Sequence, residues 1–389
     1  MPDSPTPSRP SASAVIACGG TGGHLFPGLA VAEELRRRGC RVTLMVSPKD
    51  VDQQAIASIS GMGVVTLPAV ALNRGGWINF VSGFCKSYQL ARRLFARQRP
   101  DVVLAMGGFV SAPPVAAGKR CGAKTFLHES NSIPGRANRW LARWVDGAFV
   151  YFSAAAPRLR TKRVEVSGMP VRPQFLRPLT ETQARMALGL NPNAPVLLVM
   201  GGSQGAARIN ELALGAVPLL RQAAPDLQFM HLTGARDLEK VRDGYQAHNV
   251  PALVRSFFDD MGTALAAADA AVSRAGASSL AELAARQLPA VLIPYPTAAD
   301  NHQYFNARAF VQSGAARMMP QETATSGLLA NEILDLMRDT NRSAMRQALP
   351  AWHVPGAAAH IAERMLHWNA AEEQAGHVAA PKQMTVLNC

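Results

Sequence analysis

Residues 17–28 read Ala-Cys-Gly-Gly-Thr-Gly-Gly-His-Leu-Phe-Pro-Gly, directly after a short apolar run at 14–16. Gly19, Gly20, Gly22 and Gly23 leave the backbone without side-chain bulk and free to take positive φ. An apolar strand, a glycine loop and a helical pattern stopping at Gly39 form the arrangement in which bare amides and a helix N-terminus hold a phosphate. His24 falls inside this loop, so a titratable imidazole is expected beside the bound anion. A P-loop would close on Gly-Lys-Ser/Thr, whereas Gly23 is followed by His24 and Leu25. A dinucleotide fingerprint would need glycine where Leu25 stands, and an acid where Ser47-Pro48-Lys49 follows the second strand. A plain βα turn would need one glycine, not four. Phosphate binding, with a group able to transfer a proton beside it, is the reading these residues favour over that plain turn, which stays open as the alternative.

The second half repeats the device. An apolar run at 195–200 leads into Gly201-Gly202-Ser203-Gln204-Gly205 and a helical pattern from Ala206. A further strand ends in the small residues 273–279 and opens a helix carrying Glu282. Between these halves, Gly107-Gly108 follows the run at 102–105, and prolines 170 and 173 mark an exposed crossover. The elements that must position these groups are legible as apolar runs at 14–17, 41–46, 64–67, 102–105, 125–127 and 147–150. Others follow at 195–200, 228–232, 250–254, 270–273 and 290–294. Repeated β-α alternation predicts an α/β fold of two doubly wound parallel-sheet (Rossmann-like) domains facing a cleft in which two ligands meet. We expect a disordered leader at 1–12, an acceptor- and membrane-facing domain at 13–169 and a nucleotide-sugar domain at 170–355. A C-terminal helix at 356–370 is expected to pack back on the first domain, before a loose tail at 371–389.

At 389 residues the chain exceeds one ordinary core, and 48% apolar with 17% charged residues describes a globular protein. No stretch approaches the roughly 18 apolar residues of a membrane span. Cys18, Cys40, Cys85, Cys121 and Cys389 have no metal or redox spacing, which fits a reducing cytoplasm. Up to Val171 there are 22 Lys/Arg against 9 Asp/Glu, and after it 18 against 18, so the first half holds the whole net charge of +13. Residues 53–100 contain no acid but carry Arg74, Lys86, Arg92, Arg93, Arg97 and Arg99, interleaved with Trp77, Phe80, Phe84, Phe95 and other apolar residues. A cationic amphipathic segment of this kind suits an anionic membrane surface, where each basic residue contributes about 1 kcal/mol. A solvated basic face on an ordinary helix is the plainer alternative. No nucleic-acid motif accompanies the charge.

Taken together, the residues resemble the MurG family, the bacterial peptidoglycan N-acetylglucosaminyltransferases of glycosyltransferase family 28. The resemblance is carried by 19–28, by Met106-Gly-Gly-Phe-Val-Ser111 and by His128-Glu-Ser-Asn131. It continues through Gly168-Met-Pro-Val-Arg172, Gly201-Gly-Ser-Gln-Gly-Ala206 and the run 273–307. It implies a GT-B fold and inverting, metal-independent transfer of N-acetylglucosamine from its UDP derivative to undecaprenyl-diphospho-N-acetylmuramoyl pentapeptide (lipid I). It also implies attachment to the inner face of the cell membrane, no cofactor, and other cell-wall synthesis or division proteins as partners. By the same resemblance Ser203 and its loop would bind the UDP phosphates, Glu282 the ribose hydroxyls and Phe258 the uracil. Gln303, Asn131 and the turn of Ala277, Ser278 and Ser279, with Leu280 and Ala281 behind it, would line the sugar site. Arg172 would lie near the diphosphate, and Thr21, Gly22 and Gly23 match positions associated with nucleotide sugar and acceptor alike. Ser130, Ser278 and His302 depart from the residues expected there.

In this reading the C4 hydroxyl of the muramoyl sugar attacks the donor's anomeric carbon and UDP departs. An unperturbed imidazole titrates near pH ~6.5, so His24 is a candidate base. A neighbouring lipid diphosphate would favour its charged form and make it an electrostatic clamp instead. Glu129 is a weaker candidate base, since a carboxylate at a strand end also serves to cap a helix. Leaving-group stabilisation is expected from the 202–204 amides, the helix after Ala206 and Arg172 acting together. Asp50-Val-Asp52 spells a metal-binding pattern but reads better as turn and helix-start carboxylates, so no metal is expected. The rivals are a UDP-sugar 2-epimerase, which needs neither acceptor nor membrane, a diacylglycerol-directed transferase, and a non-catalytic binding protein.

Overall fold

A computed structural model of the chain describes residues 12–49, 53, 61–68, 72–202 and 205–368, with side chains in the fourth stretch described from residue 76. The leader, the 371–389 tail, Asp50, Asp52, Ser203, Gln204 and the Arg74 side chain lie outside these residues. The chain forms two compact units. One comprises residues up to Ser130, Pro134–Pro170 and the segment from Gly356; the other contains Asn131–Ile133 and Val171–Pro355.

The first unit is built on a sheet of β1 (Ser13–Ala17), β2 (Arg41–Val46), β3 (Gly63–Thr66), β4 (Val102–Ala105), β5 (Lys124–Glu129), β6 (Gly147–Val150) and β7 (Val164–Val166). Its order is β3-β2-β1-β4-β5-β6-β7, and every pairing is parallel. Parallel strands are covered on both faces, which is why β1, β2 and β4 read as near-continuous apolar runs. Around the sheet lie α1 (Gly22–Arg37), α2 (Leu72–Arg97, broken at Gly76 with φ 71°), α3 (Ala112–Arg120) and α4 (Arg136–Leu141). The strand order reverses between β1 and β4, where ligands of such sheets bind. The register pairs Ala17 with Ala105, so the glycines two residues beyond each strand end come out side by side.

Helix α1 begins earlier than the glycine pattern predicts. Thr21 is its extended N-cap (φ −157°, ψ 153°), and Thr21 O accepts from His24 N and Leu25 N, both at 3.1 Å. Gly22 and Gly23 are therefore helical, and His24 stands in the first turn rather than in the loop. Fully buried Leu25 anchors this turn to the core, and packing carries the helix past Pro27.

The second unit contains α5 (Glu181–Ala187), β8 (Val196–Met200), α6 (Ala207–Ala223), β9 (Gln228–Leu232), α7 (Leu238–Ala247), β10 (Ala252–Arg255), α8 (Met261–Ala267) and β11 (Ala270–Ser273). It continues through α9 (Ala277–Ala285), β12 (Ala290–Leu292), α10 (His302–Gln312), β13 (Arg317–Met318), α11 (Ser326–Leu336) and α12 (Asp339–Ala348). The sheet order β10-β9-β8-β11-β12-β13 reverses between β8 and β11, again with parallel pairing throughout. Here the register pairs Met200 with Ser273, which aligns the glycine loop after β8 with the small-residue turn before α9.

A last helix, α13 (Ala357–Leu366), belongs to the first unit. Its Ile361, Ala362 and Met365 share a buried cluster with α1, β1 and β4. Arg38 donates to Ala359 O at 3.2 Å, and Arg364 pairs with Glu165 of β7 at 3.2 Å. Trp368 then meets Phe126 edge-on at 5.0 Å, flanked by the guanidinium of Arg163 at 4.6 Å.

Candidate functional site

In the first unit, the strand-end glycines create a floor for one imidazole. A Cβ on Gly107 (φ 109°) would come within 3.0 Å of His24 Cδ2 and Nε2, and one on Gly108 (φ 75°) within 3.4 Å of Nδ1. Only bare backbone permits that approach. His24 Nδ1 is hydrogen bonded to Thr21 Oγ1 at 3.2 Å, which fixes the ring at the helix start. The glycine turn is itself held by buried Ser111, whose Oγ accepts from Gly107 N at 3.2 Å and donates to Ala17 O at 3.1 Å. Lys49, overlooked in the sequence, brings its ammonium to Gly20 O and lies 5.8 Å from the centroid of Phe109.

Behind this turn His128 is fully buried, and burial above all, with the charge of His24 adding, pulls its pKa down to about 4. Its Nε2 donates to Gly168 O at 3.1 Å, so the neutral ring keeps its lone pair on Nδ1. Glu129 is also buried, and its Oε2 accepts from Gly135 N at 3.0 Å and Asn138 Nδ2 at 2.9 Å. Gly135 is the N-cap of α4, so this carboxylate does hold a helix end, the alternative already open in the sequence.

In the second unit, Arg172 and Glu282 are brought together, with Arg172 Nη2 at 3.6 Å from Glu282 Oε1. Glu282 sits in the second turn of α9, and burial pushes its carboxyl up to about 7 despite the pull of Arg172. Arg172 also lies over the ring of Phe175 at 5.0 Å. Ala277, Ser278 and Ser279 form the first turn of α9, with Ala277 buried and the two serines half-buried, while Leu280 and Ala281 are buried behind them. Gln303 Oε1 accepts from Ala275 N at 3.3 Å and Tyr295 N at 3.0 Å, tying together the loops after β11 and β12. Asn131 Oδ1 accepts from Asn306 Nδ2 at 3.0 Å; Asn306, fully buried, also takes Ser132 N at 2.9 Å. Nothing in local spacing singled out Asn306, because its partners lie about 175 residues away in sequence. Phe258 is half-buried between β10 and α8, apart from these groups in the hydrogen-bond pattern.

The cationic segment divides along α2. Trp77 and Ile78 are 67% and 82% exposed, and Lys86, Arg92, Arg93 and Arg97 point to solvent. Phe80 stacks near Trp77 at 5.9 Å, whereas Phe84 and Phe95 pack on the core. No described helix is long and apolar enough to cross a membrane.

Residues 14–150 match the glycosyltransferase family 28 N-terminal domain, and residues 196–361 the family 28 C-terminal domain. A UDP-N-acetylglucosamine--N-acetylmuramyl-(pentapeptide) pyrophosphoryl-undecaprenol N-acetylglucosamine transferase from Geobacter sp. (strain M21) is 37% identical over 328 residues, covering 83% of this chain and 87% of its own. A protein of the same name from Synechococcus elongatus is 36% identical over 356 residues, 90% of this chain and 94% of its own. The crystal structure of Acinetobacter baumannii MurG aligns with a TM-score of 0.73 at 26% identity, over 91% of this chain and 99% of that one. A UDP-N-acetylglucosamine 2-epimerase shares the fold at a TM-score of 0.67 and 13% identity, over 91% of this chain and 96% of its own.

Proposed function

The chain belongs to glycosyltransferase family 28, and from that premise we propose that it moves N-acetylglucosamine from UDP-N-acetylglucosamine onto the C4 hydroxyl of undecaprenyl-diphospho-N-acetylmuramoyl pentapeptide. The reading includes inversion at the anomeric carbon and no metal. What carries it is likeness along 83–90% of the chain to transferases bearing that substrate in their name. The rival epimerase is alike only in fold.

The acceptor's diphosphate goes to the first glycine turn, in the half with all the excess positive charge. The C4 oxygen forms the new bond to the anomeric carbon while the bond to the UDP oxygen breaks, and UDP leaves with the electron pair. His24 takes the hydroxyl proton, its ring held by Thr21 and the Gly107–Gly108 floor. Glu129 is occupied with Gly135 and Asn138, which favours His24 as the base. On the donor side the Gly201–Gly205 loop and Arg172 meet the diphosphate, and the Glu282 carboxylate accepts from the ribose hydroxyls. Several preorganised donors acting together stabilise the departing charge, since each helix-end contribution is only about 0.3–2 kcal/mol. The exposed apolar and basic face of α2 rests on the anionic inner face of the cell membrane, where the lipid acceptor is found.

The test is to incubate the protein with labelled UDP-N-acetylglucosamine and a short-chain lipid I analogue, in the presence of EDTA. UDP release with β-linked sugar on the lipid is expected. Donor consumption without acceptor would assign an epimerase, and activity that needs added magnesium would remove the metal-free mechanism.

A further inference from the structure

The buried polar chain beneath the second glycine loop has no part in the chemistry above. We propose that His231 and Tyr245 are positioning residues for the donor diphosphate, acting through Asn210 on the strand end that seats the loop. The inference rests on the reading that the Gly201–Gly205 loop binds the UDP phosphates.

Its direction can be worked out atom by atom. Asn210, in the first turn of α6, donates from Nδ2 to Thr233 O at 3.0 Å and to Asp237 Oδ2 at 2.7 Å. Both partners only accept, so the amide nitrogen must face them and Oδ1 must face His231 Nε2, which lies 3.0 Å away. That nitrogen therefore carries the imidazole proton. His231 Nδ1 is then an acceptor, and the Tyr245 hydroxyl donates to it at 3.0 Å. All three side chains are buried. Burial pulls the His231 pKa down to about 3 and pushes the Tyr245 phenol up, so one protonation pattern persists through the physiological range.

The carbonyl that this chain holds is the one on which the loop sits. A Cβ on Gly205 (φ 73°) would fall 2.1 Å from Thr233 O and 2.8 Å from Gly234 Cα. Gly205 N closes the turn on Gly202 O at 2.9 Å. The Gly205 backbone thus lies directly against Thr233, with no side chain between to absorb a shift. Removing the His231 ring leaves Asn210 Oδ1 buried without its donor. The amide then turns or recedes, Thr233 O moves, and Gly205, which rests on it, is displaced from its place beside the donor phosphate.

Two full-length variants, His231→Leu and Tyr245→Phe, test this by calorimetric titration with UDP and with uridine, which lacks phosphates. In His231→Leu the UDP Kd should rise about tenfold, the equivalent of one hydrogen bond, while the uridine Kd stays put. With the short-chain lipid I analogue, KM for UDP-N-acetylglucosamine should rise similarly and kcat change little. His231→Gln, whose amide can donate to Asn210, should recover most of the loss. Tyr245→Phe keeps the core filled and should shift UDP binding the same way by a smaller factor, so the inference stays testable even where His231→Leu fails to fold. An unchanged UDP-to-uridine ratio in folded Tyr245→Phe and His231→Leu overturns the proposal, as does equal weakening of both ligands. Wild-type protein binding UDP no tighter than uridine would instead remove the phosphate-loop reading, and this proposal with it.

Discussion

At the switch point of the first sheet, His24 stands half-buried against bare glycine backbone, at a helix start. Beneath the matching loop of the second sheet, His231 is sealed from solvent between a phenol and an amide. Both follow from the same supersecondary plan: a parallel strand, a glycine turn and a helix. They differ in what surrounds the imidazole. One ring is partly open to solvent, as the proposed base must be; the other is held in one tautomer between buried partners. The halves of the chain that hold them differ as well. The chain up to Val171 carries the whole net charge and an exposed apolar helix end, while the chain after it is neutral overall. The same residue type thus stands half-open or sealed according to what packs around it.

The largest expected effect breaks this division at His24. His24→Ala should lower kcat by about 10²–10⁴-fold, the usual range for a lost general base, while UDP affinity holds. Steady-state kinetics beside UDP calorimetry check it. A raised acceptor KM with intact kcat would make His24 the diphosphate clamp instead.

Charge asymmetry is tested next by the triple change Arg92→Glu, Arg93→Glu, Arg97→Glu. At about 1 kcal/mol per basic residue, binding to vesicles containing anionic lipid should weaken about 100-fold or more. Turnover of a soluble acceptor should not change. Unaltered vesicle binding would return α2 to an ordinary basic surface.

Gly107→Ala sharpens the role of the floor. The added Cβ would press on the His24 ring at 3.0 Å from a backbone φ of 109°, and about a tenfold loss in kcat/KM with unchanged UDP binding is expected. Equal loss of UDP affinity would show that the turn does not act through His24.

Glu282 gives the smallest and most pH-dependent effect. Its carboxyl is raised from 4.5 to about 7, so the unfolded chain releases that proton first. The group's contribution to stability is full below 4.5 and is lost as pH rises toward 7. Glu282→Gln should therefore stabilise the protein by about 1–3 kcal/mol at pH 8 and hardly at pH 5, read by urea unfolding. Donor affinity of the wild type should fall as pH drops below 7, while the variant binds about tenfold more weakly at pH 8 and shows no such step. A step that survives in the variant belongs to another group.

Much of this was legible in the residues. Strands β1, β2, β4 and β8 could be placed because both faces are covered and their positions are wholly apolar in β4 and β8 and nearly so in β1 and β2. β7 and β13 could not, since β7 has only half-buried residues and charged neighbours, and β13 is two residues long. The Gly19–His24 segment announced a strand, a glycine turn and a helix, yet the helix start was misplaced, because glycine and proline argue locally for loop while Leu25 is drawn into the core. On the α2 segment, alternating charges and aromatics did not reveal that Phe84 faces inward and Trp77 outward.

Sequence alone determined the α/β class, the two glycine turns, the one-sided charge and the family, since each is written in runs of neighbouring residues. Tertiary structure decided which imidazole is accessible, what occupies Glu129, and why Glu282 titrates near neutrality. It also revealed Asn306 and the Asn210–His231–Tyr245 chain. Such properties depend on burial and on partners distant along the chain, and neither exists until the strands are in register.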